Sequence, residues 1–501
     1  MKIKLFAILI ITSIILSSCG ASGDYAPEMN EADGIMLPSY DQKKDGTTHN
    51  TTDFGKIIEN EFISTSTQNV STLSADVDTA SYAYFRKLVN MGYSTQQLIS
   101  TTNGSLRTEE FINYFDYSYK EPQENDLFGM SASAFPCPWN EDSIILSLTL
   151  KASDGVDKTK NNLVFLIDVS GSMYADDKLG LLQKSFTYLT GSLTENDTVS
   201  IVTYAGNEKI VLDGAKGNEK DKIIKAINDL EAGGSTNGES GLKTAYALAE
   251  KYMKPDCNNR IIMASDGDLN VGISSADELK AFVEQKRDLG IFLSVLGFGT
   301  GNYKDSAMEA LADNGNGIYY YIDGEREAQK VLQEELFSTL YPVAKDVKLQ
   351  LTFNADTVDQ YRLIGYENRI LNKEDFDNDT KDAGELGAGH TVTVCYELKL
   401  KSGESTDTDE LLKLAVRYKK PNEEMSVLDE YQIKSDVYNS APTDEQKFLG
   451  AVIECTMILR ESKFTNGKTL NDVLSTLNSL DLSGNADKYE FRQLVSKLTD
   501  R

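Results

Sequence analysis

Histidine is nearly missing from this chain of 501 residues: His49 and His390 are the only two. With so few, catalysis built on imidazole has almost nothing to work with, and zinc loses a common neutral ligand. Cysteine is sparse as well. Cys137, Cys257, Cys395 and Cys455 are scattered, without the close pairs that mark zinc sites or redox motifs. In an exported chain some of them could pair, and the spacing does not say which. Beyond residue 16 no apolar run is long enough to cross a bilayer. No phosphate-binding glycine loop ending in Lys-Ser or Lys-Thr occurs, and no Gly-x-Ser-x-Gly elbow surrounds Ser170 or Ser172. Positive charge is also short: 50 Lys and Arg face 78 Asp and Glu, a net charge of −28. Such a surface repels phosphate backbones, which argues against nucleic acid as a ligand.

What is present begins at the N-terminus. Lys2 and Lys4 precede an almost unbroken apolar run from Leu5 to Leu16, followed by Ser17, Ser18 and Cys19. The run is short for a spanning helix and has the length of a signal-peptide core. Residues 1–18 therefore read as a leader that resembles the bacterial lipoprotein signal, in which the cysteine thiol takes a diacylglycerol. The alternative is an ordinary secretory leader with a chance cysteine. The resemblance implies that Cys19 is lipidated and that the protein is anchored to a membrane, facing outside the cytoplasm, with each buried methylene contributing about 0.8 kcal/mol. Gly20 is no acidic retention signal, so in a two-membrane bacterium the outer membrane is expected. Loss of the leader leaves 48 cationic against 78 acidic side chains, a charge of −30.

Residues 19–68 are rich in Ser, Thr, Asn, Asp and Gly, with no sustained period, and read as a flexible tether that includes His49. Residues 69–155 form an N-terminal flank with a helix through Tyr82, Phe85, Leu88 and Val89, a second over 107–115, and a strand alternating at Leu146, Leu148 and Leu150. Residues 156–340 change texture. Apolar strands at 163–167, 199–204, 260–264, 291–296 and 318–321 alternate with helices, including 179–193, 223–230, 242–253 and one opened by Ser275 and Glu278. That order predicts an α/β fold, a doubly wound and mostly parallel sheet. From 341 to 440 the period returns to two, in sets such as Val347, Leu349, Leu351 and Phe353. The strand at 146–150 has the same character, so both flanks are expected to join one β-structure with the α/β unit inserted in it. Residues 441–501 read as a tail of two or three helices.

Strand 163–167 runs into Asp168-Val169-Ser170-Gly171-Ser172. Open parallel sheets bind ligands at the carboxyl ends of their strands, and a carboxylate with two hydroxyls at alternate positions of a glycine turn aims three hard oxygens at one place. Gly233-Gly234-Ser235-Thr236-Asn237 and Ser265-Asp266-Gly267-Asp268 carry matching groups after other strands. Hydroxyls with few carboxylates suit Mg²⁺. The three segments together resemble the metal-ion-dependent adhesion site of von Willebrand factor type A domains. That resemblance implies Ser170, Ser172 and Thr236 as direct ligands of a divalent cation, with Asp168 and Asp266 holding it directly or through water. Mg²⁺ is the first choice, and Mn²⁺ and Ca²⁺ are the alternatives. It implies further that a carboxylate of a protein partner completes the coordination, which makes the protein an adhesion or recognition module and not an enzyme.

The likeness extends to the flanks. Residues 74–82, 107–115 and 137–140 resemble the N-terminal region of one bacterial subfamily, and residues 361–369 and 387–391 its C-terminal region; no activity of those regions carries over. Asp375-Phe376-Asp377-Asn378-Asp379 has Thr380 and Leu386 where a calcium loop needs Gly and Glu, so a solvated acidic loop is expected. His390 reads as a structural turn residue. Two other readings stay open: a scaffold subunit of an envelope complex, and a hydrolase using the same ion with Asp268 beside it.

Overall fold

The computed structural model describes residues 57–500, apart from 118, 125, 155–159, 236–237, 255–256, 268–275, 301–303, 336–341, 402–408 and 422. The leader, Cys19 and His49 lie outside the described residues. The first flank contributes β1 (Ile63–Ser64), β2 (Val70–Ser74), α1 (Ala80–Asn90), α2 (Thr95–Thr102), α3 (Thr108–Asn113), β3 (Phe128–Pro136) and β4 (Ile144–Ala152). The central unit runs β5 (Lys160–Asp168), α4 (Leu181–Ser192), β6 (Thr198–Tyr204), β7 (Lys209–Lys216), α5 (Lys220–Asn228), α6 (Gly238–Tyr252), β8 (Cys257–Ser265), α7 (Ala276–Asp288), β9 (Ile291–Phe298), α8 (Asp305–Asn314), β10 (Tyr319–Ile322) and α9 (Glu325–Gln329). The second flank holds β11 (Pro342–Phe353), β12 (Val358–Ile364), β13 (Ile370–Leu371), β14 (Gly384–Gly387), β15 (Thr391–Leu400), β16 (Glu410–Lys419) and β17 (Ser426–Lys434), and three helices close the chain: α10 (Asp444–Leu459), α11 (Leu470–Asn478) and α12 (Ala486–Thr499).

The central sheet has the order β10-β9-β8-β5-β6-β7, parallel except for β7. Both faces of β5 are covered, which explains its continuous apolar run. Leu163, Phe165 and Ile167 share a core with Leu182, Phe186 and Leu189 of α4. Val164 and Leu166 belong to a second core that takes in Leu242 and Ala245 of α6 and reaches the flanking helices. The edge strand β7 was not expected. Its Ile210, Val211 and Leu212 are contiguous instead of alternating, and Ile210 is exposed.

The flanks form two further sheets, β1-β12-β15-β4-β3 and β13-β2-β11-β16-β17, whose inner residues make one sandwich core. β4, before the central unit, pairs antiparallel with β15, after it, from Ile144↔Leu398 to Lys151↔Thr391. β2 pairs in the same way with β11, Leu73 opposite Leu349. The α/β unit is thus inserted into a β-sandwich made by both flanks.

Three expectations change. The tether read over 19–68 ends earlier, because Ile63 and Ser64 pair with Tyr361 and Gln360, and Thr65 Oγ1 donates to the Val358 carbonyl at 2.6 Å. Cys137, Cys395 and Cys455 are buried free thiols. The acidic loop is not simply solvated: Asp377 remains in water, but Asp379 accepts from Arg417 at 2.9 Å, and Lys348 Nζ donates to the Asn378 carbonyl at 2.6 Å. Among the described residues no helix is long and apolar enough to cross a membrane.

Glu397 on β15 joins the sandwich to the segments around it. Its carboxylate accepts from Arg362 at 2.8 Å, Ser143 at 2.7 Å, Asn140 at 2.9 Å and the Trp139 indole at 3.2 Å. Burial is the largest single influence and would raise this carboxyl, but the Arg362 guanidinium and the hydrogen bonds from Arg362, Ser143 and Asn140 together outweigh it and hold the group below its ordinary value. Arg362 also stacks over Phe464, which follows α10, 4.2 Å from the ring centre. Removing one partner of a buried pair leaves the other charge uncompensated. Arg362→Met is therefore expected to destabilise the fold by about 3–5 kcal/mol, measured by urea unfolding; a loss below about 1 kcal/mol would show the pair to be dispensable.

Candidate metal site

β5 lies between β8 and β6, so the strand order reverses beside it and a crevice forms at the carboxyl ends of β5 and β8. Asp168 is the last residue of β5. The turn after it is fastened from both sides. Val169 N–H donates to the Tyr204 carbonyl at 3.0 Å, Gly233 N–H to the Val169 carbonyl at 2.8 Å, and Gly171 N–H to the Gly234 carbonyl at 3.1 Å. Gly234 has φ +86°, and a Cβ there would come to 3.4 Å from the Gly206 nitrogen. A side chain at 234 would strain this closure.

The carboxylate of Asp168 is fully buried. Its Oδ1 accepts the Ser170 N–H at 2.9 Å and its Oδ2 the Ser265 hydroxyl at 3.2 Å. Ser170 Oγ and Ser172 Oγ lie 2.9 Å apart. Asp266, just past β8, is buried and accepts from Lys178 Nζ at 2.7 Å. The structure thus brings Asp168, Ser170, Ser172 and Asp266 to the same two strand ends. Thr236 lies outside the described residues, as does Asp268, while the neighbouring Gly233 and Gly234 are bonded to the metal turn.

Sequence reasoning missed Lys178 and Gly299. Lys178 sits in the lead-in to an amphipathic helix, where a lysine ordinarily points to solvent. Its stem instead passes Gly299, where a Cβ would stand 2.3 Å from Lys178 Cε.

The donor set fits a small hard cation. Octahedral Mg²⁺ with bonds of about 2.1 Å separates adjacent ligand oxygens by roughly 3.0 Å, and the two serine hydroxyls already have that spacing. Burial pushes the Asp168 carboxyl up to about 6, against the pull of the Ser170 hydrogen bonds, and Asp266 adds repulsion. His390, in contrast, is half-buried just before β15, with its imidazole lowered to about 4 by burial, and supplies no base here.

Comparison with known proteins agrees with this architecture. The description "von Willebrand factor type A domain" matches residues 162–335, "von Willebrand factor" residues 48–147, and "Uncharacterized protein YfbK, C-terminal" residues 338–500. The "Uncharacterized protein YfbK" of Escherichia coli (strain K12) is 39% identical over 429 residues, covering 81% of this chain and 73% of that one. Inter-alpha-trypsin inhibitor heavy chain H3 of Homo sapiens is 25% identical over 270 residues, 50% of this chain and 30% of its own. The solved von Willebrand factor type A protein from Catenulispora acidiphila is 17% identical, with a TM-score of 0.44, over 74% of this chain and 89% of its own. Domains of this type often bind a divalent metal at such a site and generally mediate protein interactions.

A proton on Asp168 competes with any cation at the turn. Mg²⁺ affinity is therefore expected to be flat above pH 6 and to fall about tenfold per pH unit below it, as read by calorimetric titration. In the metal-free protein the sign is opposite. The folded carboxyl holds its proton more tightly than the unfolded one, so its contribution to stability is present below the ordinary value of 3.8 and is lost as pH rises through about 6.

Proposed function

We propose, for a chain that belongs to the YfbK family and carries a von Willebrand factor type A domain, that it is a lipid-anchored envelope protein which binds an acidic group of a protein partner through a divalent cation. The observation that carries this reading is the serine hydroxyl pair, 2.9 Å apart, above the buried carboxylate of Asp168. Ser170, Ser172 and Thr236 would hold the ion directly, and Asp168 and Asp266 directly or through water. When bound, the cation supplies a Lewis-acidic position for a carboxylate oxygen. Mg²⁺ suits the hydroxyl spacing better than Ca²⁺, whose bonds of about 2.3–2.6 Å set ligands farther apart.

Charge balance favours an anionic partner. Asp168 and Asp266 carry two negative charges and Lys178 one positive, so a divalent ion leaves the site with one net positive charge. Neutral hydroxyl ligands preserve that excess. Lys178 keeps Asp266 from cancelling it. Next to the turn, Tyr174 is 84% exposed, and a large aromatic at the rim of a charged contact is the kind of residue that anchors an interface.

Lipidation at Cys19 would hold the protein at the membrane, outside the cytoplasm and at the outer membrane where two exist. A hydrolase reading would turn on Asp268, which lies outside the described residues. A scaffold subunit remains the second reading and would differ in binding its partner without regard to the ion.

The test is capture from native envelope extract with residues 49–501, run with Mg²⁺, with EDTA, and with Asp168→Ala. A protein held only by wild type with Mg²⁺ is the expected result; equal capture in all three arms would leave the scaffold reading. Against the captured partner, Tyr174→Ala is expected to weaken binding about fivefold or more, measured by surface plasmon resonance, with Mg²⁺ affinity unchanged.

A further inference from the structure

The flanking motifs carry many acidic residues that the reading above does not use, and the fold gathers them. Asp76 and Asp78 follow β2, Glu109 and Glu110 lie on α3, Glu367 follows β12, and Asp305, Glu309 and Asp313 lie on α8. The first four, with Asp305 and Glu309, are buried. Three guanidinium groups serve these eight carboxylates. Arg107 meets Glu110 at 3.1 Å and Asp305 and Glu309 at 2.7 Å. Arg369 meets Asp76 at 3.2 Å, Asp78 at 3.3 Å and Asp313 at 2.6 Å. Arg460 meets Glu367 at 2.6 Å. The joint thus holds five more carboxyl groups than guanidiniums, and burial pushes Glu109 up to about 8 and Glu110 up to about 7.

Asp78, Glu309 and Asp313 each bring one carboxylate oxygen within 4.8 Å of the others. An ion with bonds of about 2.4 Å spans roughly that distance between opposite ligands, so one Ca²⁺ reaches all three. A second observation points the same way. Asp76 is 6% exposed and its Oδ2 has no hydrogen-bond partner, although its Oδ1 accepts the Asp78 N–H and an Arg369 N–H. With Asp78 and Asp313, Asp76 lines a cavity of about 260 Å³ whose wall also includes Asn314, Asn316 and Asn368 and the cations Arg260, Arg369 and Lys381. A buried, unpartnered carboxylate oxygen is costly unless a cation or a proton meets it. The single guanidinium of Arg369 cancels only one of the three charges it touches.

We propose that Asp76, Asp78, Glu309 and Asp313 form a second divalent-cation site, of the carboxylate-rich Ca²⁺ type, at the joint between α8 of the inserted unit and the first flank. It is independent of the serine turn. Its ligands come from the two bodies that must be held together, so the ion would tie the inserted unit to the sandwich. Six or more oxygens are within the means of four carboxylates, the cavity amides and water.

The experiment uses the full chain with Asp168→Ala, which silences the serine turn, and reads Ca²⁺ binding by calorimetry and the melting temperature. One saturable Ca²⁺ site with a raised melting temperature is expected. Asp313→Asn added to that background should weaken binding at least tenfold; Asp313 is the most exposed of the four, with a side chain 28% exposed. Asp76→Asn should do the same. No saturable Ca²⁺ response in Asp168→Ala would overturn the proposal, because protons would then neutralise the excess. So would a response that survives both asparagine substitutions, which would assign it to the acidic surface.

Discussion

Everything in this molecule hangs on the antiparallel pairing of β4 with β15. The two strands are separated by the whole α/β unit, yet they lie side by side in the middle of one sheet. That pairing returns the chain to the sandwich it left, and β2 against β11 repeats the closure in the second sheet. Long-range strand pairing carries a loop-closure cost that grows slowly with loop length, so a compact inserted unit is a tolerable way to fill the gap. The core between the sheets, with Leu146, Leu148, Val394, Leu349 and Leu414 among its members, offsets that cost.

The consequence for function is a division of labour. The inserted sheet presents the ends of β5 and β8, where a fully buried carboxylate sits in a turn bonded to three other segments. Such a group is unfavourable for the metal-free fold, because burial opposes its charge. Rigid backbone contacts from Tyr204, Gly233 and Gly234 hold the turn in place in spite of it. At β15, in contrast, Cys395 is fully buried and burial lowers the half-buried His390 imidazole to about 4.

Between the two bodies lies a joint written in charge. The flanking motifs that carried no activity in sequence meet here: Asp76 and Asp78 from one, Arg107, Glu109 and Glu110 from another, Glu367 and Arg369 from a third. Each meets α8 of the inserted unit or a neighbour that does. Tyr366 accepts a positive φ of 59° in the middle of the third, after Gly365 at 74°, and its hydroxyl donates to the Thr393 carbonyl at 2.9 Å. Backbone of that kind persists where surrounding contacts over-determine it.

The chain by itself determined whatever depends on near neighbours. The continuous apolar run at 163–167, the helical spacing of Leu182, Phe186 and Leu189, and the alternation at 347–353 each reappear as elements, because periodicity reports which faces are covered. The turn from Asp168 to Ser172 was legible for the same reason: its donors lie within five residues at the end of a strand. Tertiary structure alone decided the rest. β7 has no period to read, the two residues at 63–64 are too few to show one until β12 pairs with them, and Cys137, Cys395 and Cys455 stay apart. Lys178 reaches Asp266, 88 residues away, and the eight carboxylates of the joint come from segments more than 200 residues apart. Contacts of that range are set by how sheets pair and layers stack, and no local pattern of side chains encodes them.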